Sequence, residues 1–207
     1  MNAKHLLGIL LLILTACEAP NSTTPTRNQP VNNSEKATSK LNPYAPVDVS
    51  PMDVCYFPVD FQKQIGTNSN PKPLARIFYS RPQLQDRHVY KEVVPLNQPW
   101  RLGANEATEL QFFSEAIIQN KRIPAGRYSL YAIPGEKEWT LVINRKVDNW
   151  GLNIDSSLDV ARFVRPIQSP ENQLEYFTIA FFGNGLNAEL LIGWDNSMVK
   201  LPIRFEP

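Results

Sequence analysis

LEYFTIAFF (174–182), GNGLN (183–187), AELLIGW (188–194) and MVKLPIRF (198–205) decide how this chain folds. In the last of these, Val199, Leu201, Ile203 and Phe205 alternate with Lys200, Pro202 and Arg204. Strict alternation puts one face on a core and the other in water, the signature of a half-buried strand. The two preceding apolar runs are split by a turn holding two glycines, so they read as a hairpin. Pro202 has no N–H to donate. Its strand is expected at a sheet edge, or with that position turned away from a neighbour.

Upstream the same grammar repeats. GRYSLYAIPG (126–135) and EWTLVIN (138–144) form a second expected hairpin, turning at Pro134-Gly135. LARIFYS (74–80), ATELQFF (107–113), AIIQ (116–119) and VARFVRP (160–166) add further strands. SEAIIQNKR has some helical character, but Ile117-Ile118 and the following IPAG favour a short strand and a turn. No long stretch holds a helical period. About nine short strands spaced by Pro/Gly turns predict an all-β chain, an antiparallel β-sandwich of jelly-roll or Ig-like type.

The chain has 207 residues, 43% of them hydrophobic, which suffices for one core. Its 18 prolines suit strands and turns better than a helical bundle. Lys+Arg is 21 against Asp+Glu 20, without a basic run, so nothing in the charge attracts nucleic acid.

At the N-terminus Lys4 precedes an apolar run, Leu6–Leu14, and then Thr15-Ala16-Cys17. This reads as a signal peptide, too short for a permanent membrane span. LTAC resembles the bacterial lipobox, in which the cysteine becomes the lipidated first residue of the mature protein. Residues 1–17 are therefore expected to be a lipoprotein signal ending at a lipidated Cys17. Acyl chains bury methylenes at about 0.8 kcal/mol each, so several chains hold firmly. Of the 33 residues 18–50, 18 are Pro, Ser, Thr or Asn, a composition that cannot offset its ordering entropy. They read as a disordered tether of about 30 Å reach, carrying a folded domain over 51–207. The expected place is the cell envelope, lipid-anchored to the outer (or inner) membrane, with the domain periplasmic or surface-exposed. Cys55, left alone after processing, sits among Val54, Tyr56 and Phe57 and reads as buried and inert.

WRLGANEATEL (100–110) holds the best clue to a site. Extending the alternation back from Phe112 and Leu110 puts Thr108 and Glu106 on the core face. A carboxylate there needs a partner. Arg101, across Gly103, and Arg81, ending the strand RIFYSRP, are the candidates. Asn105 after Gly103-Ala104 suits a turn braced by its side chain. Two readings follow. The network fixes strand register and touches no ligand, or it lines a pocket in which arginine binds an anionic or carbonyl group.

Other chemistry finds little footing. His5 leaves with the signal, so His88 stands alone, without H-x-x-x-H or C-x-x-C spacing. There is no G-x-S-x-G elbow and no Gly-rich phosphate loop. DNWGLNIDSSLD (148–159) fails as an EF-hand because Trp150 and Leu152 fall on ligand positions. A looser calcium site on Asp155 and Asp159 competes with a plain polar loop. Glu106 and Glu109, three apart on a strand, are expected on opposite faces and so unable to flank one glycosidic bond. Trp139 and Trp194 lie in strong strands and read as core. Trp100 and Trp150 sit at loop edges and are the candidates for stacking on a sugar ring.

YSRP (79–82), Arg87, PWRLGANEAT (99–108), PAGRYSLYAIPG (124–135), EWTLVIN (138–144) and NWG (149–151) occur in this order. Together they resemble the domain of unknown function 2911 family, exported proteins of Gram-negative envelopes, over roughly 51–205. The resemblance implies no reaction and no catalytic residue. Where that family has a Gly-Arg pair and FG before VPYG, this chain has DRHVYKEVVPLN (86–97). Arg81, Arg87, Trp100, Arg101, Asn105, Glu106 and Thr108 are the candidate binding or ion-pair residues, with no catalytic residue, metal ligand or cofactor assigned. The reading is an envelope lipoprotein with a non-catalytic binding or scaffolding domain, its partner a glycan, a peptide or an envelope protein. The alternative is a hydrolase-like enzyme with a pocket on Arg81, Arg101 and Glu106, with His88 as a further candidate.

Overall fold

The computed structural model describes residues 48–67 and 70–206. The expected signal, Cys17 and the tether up to residue 47 lie outside the described residues. Eleven strands run in the order β1 (Met52–Phe57), β2 (Ala75–Ser80), β3 (Glu109–Phe112), β4 (Ala116–Ile118), β5 (Lys121–Ile123), β6 (Gly126–Pro134), β7 (Glu138–Asn144), β8 (Asp159–Pro166), β9 (Leu174–Asn184), β10 (Asn187–Asp195) and β11 (Ser197–Phe205). A short helix, α1 (Phe61–Thr67), links β1 to β2. All strand pairs are antiparallel, in a six-stranded sheet β1-β2-β3-β6-β7-β8 and a five-stranded sheet β5-β4-β11-β10-β9. The all-β sandwich read from the sequence is the fold.

Period two explains the core. Leu110 and Phe112 of β3, Leu130 and Ala132 of β6, and Trp139, Leu141 and Ile143 of β7 line the inner face of the larger sheet. Phe177, Ile179 and Phe181 of β9, Leu190, Ile192 and Trp194 of β10, and Val199, Leu201, Ile203 and Phe205 of β11 face them. Each large side chain so buried contributes roughly 1.5–3 kcal/mol.

The β9–β10 hairpin turns on two residues, Gly185 and Leu186, between Asn184 and its partner Asn187. Gly185 has φ 57°, as the first position of a II′ turn requires. Pro202 lies opposite Glu189 of β10, and β4 reaches only Arg204 and Phe205. The proline therefore stands on an uncovered length of β11. Nearby, Arg165 of β8 donates from Nε to the Lys200 carbonyl at 2.5 Å, satisfying part of that open edge.

Two strands escape the sequence reading. β1 is half-buried on both faces and shows no alternation. β5 follows β4 through Gln119-Asn120, whose φ values of 46° and 65° make a tight hairpin turn without glycine.

Candidate functional site

After β2 the chain leaves the sheet, and its return is irregular. Trp100 pairs with Ala132 of β6, donating to its carbonyl at 2.7 Å and accepting from its N–H at 2.9 Å. Residues 101–107 then bulge out before β3 begins. Leu102 (φ 58°), Gly103 (φ 143°) and Asn105 (φ 57°) all have left-handed backbones. For a buried leucine this is strained and must be held from outside. Thr108, fully buried, holds it: its hydroxyl donates to the Leu102 carbonyl at 2.5 Å. A Cβ on Gly103 would stand 2.9 Å from the Ser80 carbonyl, so only glycine lets this loop lie against the end of β2.

This backbone overturns the expected charge network. Glu106 is exposed and makes no ion pair or hydrogen bond with described residues. Alternation holds for Phe112, Leu110 and Thr108, then breaks, because the left-handed Asn105 swings Glu106 outward. Neither expected arginine reaches it. Arg81 pairs with Asp53 of β1 at 3.2 Å and lies 5.5 Å from the Tyr176 ring. Arg101 donates to the Trp150 carbonyl at 3.0 Å, and its guanidinium is 5.7 Å from that residue's ring. Partial burial lowers the Arg101 pKa, and Glu106, acting through space, opposes this. Arg87 braces a turn, donating from Nε to Leu84 and from Nη2 to Gln83 carbonyls. Asn105 behaves as a brace: its amide donates to Asp48 at 2.9 Å and to the Ser50 carbonyl at 3.3 Å.

The ion-pair cluster nearest this loop lies on the outer face of the larger sheet. Arg127 of β6 binds Glu109 of β3 at 2.7 Å and Asp148 at 2.5 Å. The hydrogen bonds to these two carboxylates raise the Arg127 pKa, and Arg127 in turn lowers that of Asp148. The signal for this was the register: Glu109 faces Ser129, which sets Arg127 on the diagonal.

The loop after β7 folds back onto 101–107. Asn149 accepts from the Ala107 N–H at 3.0 Å, and its side chain accepts from the Gly151 N–H at 2.8 Å. Asp155 and Asp159 are committed internally. Asp155 caps Ser157, while Asp159 takes hydrogen bonds from Tyr131, Asn144 and Arg162. Among the described residues no group of three His, Cys, Asp or Glu side chains is placed to hold a metal ion.

The two loops frame two concavities. One, of about 470 Å3, is lined by Met52, Phe78, Glu106, Glu109, Arg127, Asp148, Asn149 and Trp150. Glu106 and Glu109 thus share a cavity, contrary to the expected opposite faces, for the same reason that Glu106 points outward. The other, of about 540 Å3, runs past Pro82, Arg87, Pro95, Pro99, Trp100, Arg101, Gly103 and Leu152. Arg101 and Trp150 form the ridge between them. Trp150 is 53% exposed. Trp100, expected at a loop edge, is only 8% exposed: it stacks on Trp194 and meets Trp139 and Phe177 edge-on. It is core with one edge in the groove.

Arg81, Arg101 and Glu106 do not converge. Arg81 is spent on Asp53, Arg101 faces the larger groove, and Glu106 the smaller cavity. His88 is exposed, and Glu92 accepts from its backbone N–H. Burial pushes the Cys55 thiol up to about 12, with the Asp53 charge adding to it, which removes the thiolate a nucleophile needs.

The molecule is thus a β-sandwich with paired concavities built from loops at the margin of its larger sheet. Residues 62–203 match the family described as protein of unknown function (DUF2911), and the chain belongs to it. Neither a curated protein nor a solved structure matches the chain.

Proposed function

We propose that this chain is an envelope lipoprotein, anchored through a lipidated Cys17, whose sandwich binds a glycan without cleaving it. The observation that carries the ligand class is an exposed indole, Trp150, at the rim of a concavity where the Glu106 carboxylate has no partner among described residues. An aromatic face packs on the C–H face of a pyranose, and unpaired carboxylates accept sugar hydroxyls. Support for binding over hydrolysis comes from the separation of Arg81, Arg101 and Glu106 into different surroundings. Support for the anchor comes from the LTAC run behind Leu6–Leu14.

A glycan array probed with the purified domain tests the ligand. Binding that vanishes in Trp150→Ala supports the reading, and an array without a hit overturns it. Fatty-acid labelling that Cys17→Ser abolishes tests the anchor; unlabelled wild-type protein would refute it.

A second reading has one observation behind it. Glu106 and Glu109 line the same cavity, the arrangement a glycoside hydrolase needs. Glu109 is held by Arg127 and by the Asp148 N–H, which favours a structural duty. Release of reducing ends from a bound glycan, lost in Glu106→Gln, would establish the hydrolytic reading.

A further inference from the structure

The two concavities differ in charge. The smaller is lined by Glu106, Glu109 and Asp148 against Arg127, a balance of three negative to one positive. Among the described residues the larger is lined by Arg87 and Arg101 and by no aspartate or glutamate. On the ridge between them, Arg101 is half-buried and donates one hydrogen bond, to the Trp150 carbonyl. A guanidinium has five N–H donors in a fixed fork. Its remaining donors have no protein acceptor among the described residues, and no described carboxylate lies within ion-pair distance. Partial desolvation strengthens whatever anion it meets. Around it the groove is apolar, lined by Pro82, Pro95, Pro99, Trp100 and Leu152.

We infer that Arg101 is the carboxylate-recognising residue of this groove, and that the ligand is an acidic glycan containing a uronate next to a neutral sugar. The inference rests on the glycan reading above and deepens it. The uronate carboxylate takes the open side of the Arg101 fork, while the ring of the sugar at the ridge lies on Trp150. The neighbouring neutral sugar occupies the smaller cavity, where it donates hydroxyls to Glu106. A second uronate there would meet uncompensated negative charge. The arrangement therefore selects glycans in which charged and neutral units alternate over runs of a single charged unit. Arg87 adds long-range attraction but not a fork, since two of its nitrogens are fixed on the Gln83 and Leu84 carbonyls.

The test is calorimetric titration of the full-length protein with three probes. They are an alternating uronate–N-acetylhexosamine hexasaccharide, its carboxyl-reduced form and an oligogalacturonate of equal length. The expected result is that carboxyl reduction weakens binding at least tenfold. Added salt should weaken the native probe and leave the reduced one unchanged, and the oligogalacturonate should bind less well than the alternating probe. Arg101→Gln should remove the difference between native and reduced probes, whatever it does to the affinity common to both. Equal affinity of the native and reduced probes for wild-type protein overturns the carboxylate inference and leaves glycan binding standing. Stronger binding of the oligogalacturonate overturns the alternation. Failure of these probes and of a neutral-glycan array overturns both readings together. The native-against-reduced comparison uses wild-type protein only, so it stands even if the variant folds poorly.

Discussion

A Cβ added to Gly151 would stand 2.7 Å from the Cβ of Arg101. It would also meet the Ala107 Cβ at 3.1 Å, and the backbone there has φ 77°, where L side chains are strained. The close approach is what sets Trp150, one residue earlier, beside the Arg101 guanidinium. Gly151→Ala should therefore cost about 2 kcal/mol or more, from steric overlap and left-handed strain together. Urea unfolding measures this. Ligand affinity should fall with it, because the ridge loses its shape. An unchanged midpoint would mean that the two loops are not in contact in solution.

Two tryptophans separate fold from site. Trp100→Ala removes a side chain that touches Trp139, Phe177 and Trp194, and should cost about 3–5 kcal/mol. Trp150→Ala removes an exposed ring and should shift stability by less than about 0.5 kcal/mol while abolishing glycan binding. Chemical denaturation and titration of both variants check the contrast. Comparable destabilisation in the two would deny Trp150 its role as an exposed platform.

Glu106 and Thr108 make a second pair, two residues apart and opposite in fate. Glu106 is exposed and has no partner among the described residues, so Glu106→Gln should leave stability within about 0.5 kcal/mol of wild type. Thr108→Val keeps the shape but strips the hydrogen bond from the buried Leu102 carbonyl, and should cost about 1–3 kcal/mol. Thermal melts of the two variants decide the matter. A large loss in Glu106→Gln would restore the buried-network picture that alternation alone implied.

That contrast also shows where sequence reading stops. Alternation in MVKLPIRF and in the two long hairpins follows from burial of one sheet face. Position by position, it placed Val199, Leu201, Ile203 and Phe205 in the core, where they lie. It misplaced Glu106 because period two holds only while the backbone stays extended. Left-handed residues at 102, 103 and 105 reset the direction. Glycine at 103 hinted at this, but leucine at 102 did not. The same bulge reunited Glu106 with Glu109. β1 escaped because an edge strand buried partly on both faces carries no period. The Arg127–Glu109–Asp148 cluster needed the β3–β6 register, a long-range property that local pattern does not contain. In the WRLGANEAT stretch the structure shows a backbone feature first. Its importance lies in backbone geometry, with Gly103 against Ser80 and Ala107 against Asn149, more than in the charges that drew notice.

The phenols set the alkaline limit of the fold. Burial pushes Tyr79 and Tyr131 up to about 12 from 10.0, helped at Tyr131 by the hydrogen bond to Asp159. Tyr90 and Tyr128 are raised for the same first reason, desolvation. Cys55 rises from 9.0 to about 12. In each case the folded state keeps its proton where the unfolded chain has released it. Stability then falls with rising pH, because the native state binds more protons than the unfolded one. The contribution is complete below the unfolded values, near pH 9 for the thiol and pH 10 for the phenols, and is lost as pH climbs to about 12. Guanidinium unfolding at pH 8, 9, 10 and 11 should show a level stretch followed by a steepening decline. Tyr131→Phe lacks one of the ionising groups, so its decline should be shallower even though its stability at pH 8 is lower. A wild-type profile that stays level through pH 11 would show that these phenols and the thiol ionise as freely in the fold as outside it, and would contradict the burial that raises them.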